Sequence, residues 1–402
     1  MKKSISFKIL TNKIILTISL LIFSRIGVFI PIPGLDHAAL YHNSSQNGLV
    51  NFLNVVSGGG FSTLGIFTLG IGPYINSSIM MQALTKILPN LKKLREEGGS
   101  SYKKINQIIR NLAILLAIIQ SITITLWIRP YVFDWNIYFI METTISLTTG
   151  SIIIMWVGEL ITDSGIGSGQ SLLIFQNIVA SIASTFYFSL LVDDRPKELA
   201  LKPLGILFLS FVIMTFVTIY IQQARRKIGL ISTRQLGKNI TIDNYLPIKF
   251  NYLGVMPLVL SSGLINILDI QLNILLIREI QGIIFYYCLI ICFSYVQLYL
   301  VLDPEEMANN LKKMGTTIPL IRSGEATIKY LKGILNQLTF LGANYLAGIA
   351  CIPYVISRIA QVNDINGIRV TTLFILISVA IEIIKEFRAY NISQKYENII
   401  NN

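Results

Sequence analysis

The sequence predicts an all-α membrane protein with ten transmembrane helices in two inverted-repeat halves of five. Composition, the length of the apolar runs and one internal repeat carry that prediction. Apolar residues make up 53% of the 402-residue chain and charged residues only 13%, whereas a soluble domain carries about 25% charged residues. Mean hydropathy is +0.62 and the formal net charge is +12. So little charge cannot coat a globule of this size. The same figures exclude disordered, collagen-like and disulfide-framework chains. Cys288, Cys292 and Cys351 all fall inside apolar runs, so they report membrane burial rather than an oxidising compartment.

A helix needs about 20 apolar residues to cross roughly 30 Å of hydrocarbon. Ten stretches qualify: residues 13–31, 66–88, 108–128, 138–161, 171–192, 204–221, 253–275, 282–301, 331–354 and 370–385. Lys2, Lys3 and Lys8 precede the first as they would a signal peptide, but no small-residue cleavage site follows, so this span reads as retained. The sixth is short, and the seventh and tenth are diluted by Gly, Ser, Thr and Asn. Cations set the orientation. With ten spans both termini share a side, and the clusters at 2–13, 86–110, 225–249, 312–332 and 385–395 on that side hold 25 of the 33 Lys and Arg. Both termini are therefore expected in the cytoplasm or its topological equivalent.

The second span contains Leu69-Gly70-Ile71-Gly72-Pro73-Tyr74-Ile75-Asn76-Ser77-Ser78, and the seventh Leu253-Gly254-Val255-Met256-Pro257-Leu258-Val259-Leu260-Ser261-Ser262. Both read L-G-(I/V)-x-P-x-(I/V)-x-S-S without a gap. Small residues and Pro are frequent in membrane helices, so chance is one explanation. The other is an inverted repeat, because copies five spans apart cross in opposite directions. It divides the chain into an N-terminal half, 1–192, and a C-terminal half, 203–402, joined by a polar hinge at 193–202. Pro bends a helix, while Gly and Ser admit a close neighbour. Such helices suit a seam that opens.

Residues 49–57, with Leu49, Phe52, Leu53, Val55 and Val56, are apolar but too short to cross. They form either a surface amphipathic helix or a re-entrant piece packed inside the protein. Two loops, 222–252 and 303–330, are long and basic. Their cations are either topogenic charge or docking surfaces for acidic or nucleic-acid partners. Gly165-Ile166-Gly167-Ser168-Gly169 superficially suggests phosphate binding, yet no strand precedes it, so it reads as a tight connection.

Chemistry is scarce. The two histidines, His37 and His42, lie in the first external loop, so intramembrane catalysis or metal binding built on His lacks material. No cofactor, metal or catalytic residue is expected, and the chain is not expected to be an enzyme. Cys288 and Cys292 are one turn apart with no further ligand nearby. Arg25, near the outer end of the first span, can snorkel or pair. Glu142, Glu159 and Glu382 lie near span ends, so no span holds the central acidic pair an ion-coupled carrier would use. A ten-span secondary transporter remains the alternative class, since the same symmetry supports it.

Several motifs carry a resemblance. Arg25-Ile26-Gly27 with Ile30-Pro31-Ile32-Pro33-Gly34, the Leu69–Ile75 motif, Glu96-Glu97-Gly98 with Lys103-Lys104-Ile105-Asn106-Gln107, and Gly165-Ile166-Gly167 occur in that order. Pro247-Ile248-Lys249-Phe250-Asn251, Gly254-Val255-Met256-Pro257, Asp303-Pro304 with Asn310-Leu311-Lys312-Lys313, and Ile321-Arg322-Ser323-Gly324-Glu325-Ala326-Thr327 follow. Together they resemble the SecY/Sec61-alpha family of Sec translocase channel subunits across nearly the whole chain. Ser323 departs from the Pro that many relatives carry there.

The resemblance implies a clamshell of two halves with a lateral gate between spans two and seven, where Pro73, Gln120, Pro257 and Ser262 would lie. It implies a plug at Leu49, Phe52, Leu53, Val55 and Val56. The pore ring would be Ile75, Ile79, Ile174, Ile178, Val255, Val259 and Ile375. Branched apolar side chains at i, i+4 share a helix face and can gasket a passing chain without specific hydrogen bonds. Arg234, Lys238 and Arg322 would belong to loops that receive a SecA motor ATPase or the ribosome. A SecE-like small subunit, signal peptides, the lipid bilayer and a third small subunit complete the implied partners. Abundant Ile, Asn and Lys suggest an AT-rich genome, hence a plastid-encoded thylakoid protein, with a bacterial inner membrane as the alternative.

Overall fold

Apolar backbone in lipid has to satisfy its own hydrogen bonds, and a helix does so within one segment. The computed structural model describes residues 2–37, 60–97, 100–191, 212–232, 244–250, 280–360 and parts of 256–264 and 376–392. Among these, five helices are long and apolar enough to cross a membrane, within Thr11–Val28, Lys103–Trp127, Ile137–Ser164, Gly282–Lys313 and Glu325–Ile352, and Val212–Gln223 is apolar but shorter. The chain divides into one unit of Met1–Asp194 with Val379–Asn402, and a second of Arg195–Ser378.

The first unit runs α1 (Lys2–Val28), α2 (Gly60–Thr63), α3 (Gly72–Ile87), α4 (Pro89–Glu97), α5 (Ser100–Trp127), α6 (Ile137–Ser164) and α7 (Gly169–Leu191). Here α3 packs along α5, α5 along α6, and α6 against α1 and α7. Their shared core holds Val28, Phe67, Tyr74, Ala113, Ile154, Val157, Ile161 and Leu173. Exposed Ile15, Ile18, Ile22, Leu115, Ile119 and Ile145 form the outer apolar surface that a span presents to lipid. The α6–α7 connection is a tight turn: the Ile166 amide donates to Thr17 Oγ1 (3.1 Å) and the Gly169 amide to Thr162 Oγ1 (2.9 Å).

The second expected span needs correction at its start. Residues 64–71 are turns, and the helix begins only at Gly72. Leu64 at φ +40 and Gly70 at φ +53 cannot continue an α-helix, and Pro73 in the first turn suits a helix start rather than an interior kink. This irregular backbone is paired inside the protein. The Ile66 amide donates to the Ile30 carbonyl (3.0 Å) and the Ile32 amide to the Leu64 carbonyl (3.1 Å). Ser151 Oγ, on α6, donates to the Gly70 carbonyl (3.2 Å).

The second unit contains α8 (Val212–Gln223), β1 (Arg225–Ser232), β2 (Asn244–Lys249), α9 (Ile280–Val301), α10 (Pro304–Lys313), β3 (Thr316–Thr317) and α11 (Glu325–Ala360). The structure is mostly helical, as expected, and outside the spans the two long loops add a small three-stranded antiparallel sheet of order β2-β1-β3. Its cause is a period of two: Ile228 and Leu230 on β1, and Leu246, Ile248 and Phe250 on and after β2, turn one face inward. That face packs with Leu298, Leu302, Leu311, Ile318, Leu331 and Leu335 into a compact lobe at the ends of α9 and α11. Asp303 caps α10 by accepting from the Glu305 amide (3.1 Å), and Lys312 and Lys313 complement its C-terminus.

The close approach of α6 to the irregular segment makes a stability prediction. A Cβ at Gly150 would lie 2.1 Å from the Ile66 carbonyl oxygen, whereas one at Gly72 would meet nothing within 4 Å. Gly150→Ala is expected to destabilise the protein by about 1–3 kcal/mol, and Gly72→Ala far less. Thermal unfolding in detergent, read by loss of intact monodisperse protein, distinguishes the two.

Candidate functional site

The start of α3 determines which of its side chains face the core. Tyr74, Ser77, Met81 and Thr85 are buried along one stripe of that helix. Ile75 and Ile79 lie beside the stripe, both half-buried. On α7, Ile174 is half-buried and Ile178 is buried at 2% exposure. Ile75 and Ile174 pack against the same core cluster, so the two helices bring their branched apolar side chains onto one body.

A polar clamp holds α7 in rotation. Ser24 Oγ on α1 donates to Gln176 Oε1 (3.0 Å), and Gln176 Nε2 donates to the Leu21 carbonyl (2.9 Å). Gln176 lies two residues from both Ile174 and Ile178, about 200° around the helix from each. With Gln176 turned to α1, the two isoleucines face away from it. Sequence reasoning missed this clamp, although the polar pair Gln176-Asn177 within an apolar span was its visible signal. Near the end of α6, Glu159 pairs with Arg110 of α5 (Nε–Oε1 2.7 Å), so this carboxylate belongs to an interhelical ion pair.

The remaining expected site residues are placed unevenly. Pro73 is buried in the first turn of α3, Gln120 is half-buried on α5, and Pro257 is buried in the second unit. Val255, Val259, Ile375, Ser262, Arg234, Lys238 and the segment with Leu49, Phe52, Leu53, Val55 and Val56 lie outside the described residues. The hinge at 193–202 lies outside them too. No group of three or more His, Cys, Asp or Glu gathers among the described residues.

The lobe of the second unit carries the charge. Arg322 is exposed. On the outer face of the β1–β2 hairpin, Arg225 stands opposite Lys249, and Lys227 lies over the Tyr245 ring at 4.8 Å. Like charges directly opposite oppose strand pairing, so this face is held by the apolar side beneath it. Arg226, on the inner side, reaches α11 by donating from Nη1 to Gln337 Oε1 (3.3 Å).

Apolar helices with internally paired backbone breaks, joined to a basic lobe on two loops, define a polytopic helical membrane protein. The family model described as SecY matches residues 65–384, and the chain belongs to that family. It is 48% identical to the protein translocase subunit SecY of Pyropia yezoensis over 97% of this chain and 98% of that one. It is 38% identical to the protein of the same name in a Synechocystis species, over 97% and 94%. In fold it is similar to a solved protein conducting channel, with TM-score 0.63 at 18% identity over 95% of this chain and 92% of that one. It is likewise similar to Sec61 in a canine ribosome-channel complex, with TM-score 0.58 at 17% identity over 95% and 92%.

The clamp yields a test of the site's framework. Gln176→Leu removes both interhelical hydrogen bonds and leaves Ser24 Oγ only its own-helix acceptor, the Leu21 carbonyl. A loss of about 1–3 kcal/mol in unfolding stability is expected. A cysteine at Ile174 should also change its rate of modification by a membrane-permeant thiol reagent in that background. An unchanged rate would show that the clamp does not set the rotation of α7.

Proposed function

We propose that this chain is the central pore-forming subunit of a preprotein translocase, passing unfolded polypeptides across a membrane and releasing transmembrane segments sideways. The observation that carries the reading is the near end-to-end relationship to translocase subunits of algal and cyanobacterial origin. Ile75 and Ile174 on one core, with Ile79 and Ile178 one turn further along each helix, supply half of an apolar ring. Val255, Val259 and Ile375 would supply the other half. Such a ring adapts to any side chain, since it asks for no hydrogen-bond partner, and it dewets when empty.

In this reading spans two and seven form the lateral gate, residues 49–57 plug the pore, and residues 193–202 act as the hinge between the halves 1–192 and 203–402. Translocation is passive in the channel itself. A SecA-type motor or a ribosome docks on the basic lobe through Arg322, Arg234 and Lys238, and a SecE-like subunit clamps the halves. The exposed cations of the lobe support the docking assignment by charge. Algal relatives support a thylakoid location, with both termini stromal.

Proteoliposomes containing the chain with a SecE-like subunit and a SecA-type motor test the function. ATP-dependent protection of a preprotein from external protease is expected, and Arg322→Glu should lower its rate by at least about tenfold. Uptake of a small solute with no polypeptide substrate would instead favour a ten-span secondary transporter.

A further inference from the structure

Just after β3, the Ile321 amide donates to the Ile318 carbonyl (3.2 Å), closing a four-residue turn over Pro319 and Leu320. Both flanks are fixed: Ile318 is buried, and Ile321 packs against the apolar core of the lobe. Pro319 presets the first central position, and Leu320, the second, sits at φ +64. This is the pattern of a type II turn, whose second central position favours Gly because a side chain is strained there. Leu320 is nonetheless a large apolar residue, and it is fully exposed.

Among the described residues the side chain covers no neighbour, and it leaves its apolar surface exposed, which is unfavourable a second time. Residues held in sparsely populated backbone regions by well-packed flanks cluster at binding clamps and switches. The surroundings indicate what such a clamp would meet. Residues 312–332 carry exposed Lys312, Lys313, Arg322, Lys329 and Lys332 against one carboxylate, Glu325. Met314, on the other side of β3, is exposed as well.

We propose that Leu320 is an apolar anchor, held outward by the strained turn, that inserts into a hydrophobic pocket with an acidic rim on a protein partner. The inference rests on the docking role given to this lobe above and names the chemistry of the partner. Nucleic acid fits less well: a phosphate backbone rewards the cations but offers no pocket for an aliphatic side chain. Protein interfaces place an apolar anchor in a pocket and ring it with charge.

The test uses the full chain in nanodiscs and two purified probes, a SecA-type motor protein and ribosomes. Leu320→Gly removes both the side chain and the strain, and Leu320→Asp reverses the chemistry. Leu320→Gly should leave the melting temperature unchanged or raised while weakening motor binding by at least about tenfold. Leu320→Asp should weaken it further, and ribosome binding should hold within twofold for both. Arg322→Glu is the control for docking itself. If it abolishes motor binding while the Leu320 variants stay within twofold of the parent, the anchor is wrong and the docking surface stands. If Arg322→Glu and the Leu320 variants all leave binding intact, the docking surface is wrong and the anchor falls with it. Equal losses for motor and ribosome would also overturn the proposal, because the turn would then serve the lobe's general shape.

Discussion

A backbone amide or carbonyl left unpaired in hydrocarbon costs several kcal/mol, and the first unit is organised around a stretch where helix does not meet that demand. Residues 64–71 make no α-helix, yet their polar groups pair with the end of α1 and with Ser151 of α6. Close approach is what permits it. An added Cβ at Gly65 would lie 2.0 Å from the Val28 carbonyl oxygen, and at Gly150 2.1 Å from that of Ile66. This packing fixes where α3 begins. The start of α3 in turn sets which face carries Tyr74 and Ser77 to the core and leaves Ile75 and Ile79 at its margin. The Gln176 clamp does the same for α7, so two short polar networks set which faces of α3 and α7 carry Ile75, Ile79, Ile174 and Ile178.

The second unit meets a different constraint, because its lobe faces water and needs an amphipathic fold. Strand periodicity supplies a buried face, α10 supplies the capped helix beneath it, and Leu298, Leu302 and Leu335 extend the same core into the ends of the long helices. Cations concentrate on the other face, including the opposed Arg225 and Lys249. A small globule that tolerates that repulsion is anchored by its apolar side and displays its charge outward. The lobe thus joins two physical regimes, with lipid-facing helices below and a screened electrostatic surface above.

Much of this was legible in the chain itself. Long apolar runs with little charge marked the spans, since lipid demands both, and motif order across the chain pointed to the family. The start of α3 was misread because Leu-Gly-Ile-Gly-Pro suits either a kink or an N-terminus, and only the partners of the freed backbone decide between them. The β-hairpin was missed because a basic loop read by charge hides the alternation of Ile228 with Leu230 and of Leu246 with Ile248. The Gln176 clamp showed in the chain only as the polar pair Gln176-Asn177 within an apolar span, with nothing to name its partners, which are 152 and 155 residues away in sequence. Pairings of that range come from packing, and no local pattern announces them.

In the proposed function a polypeptide passes against the isoleucines of α3 and α7. Single cysteines at Ile75 and Ile178, tested against a cysteine in a translocating chain stalled by a folded C-terminal domain, address it most directly. The account predicts disulfide formation at both positions and none at Ile15, which lies exposed on the outer surface of α1. Crosslinks at Ile15 with none at Ile75 or Ile178 would contradict it.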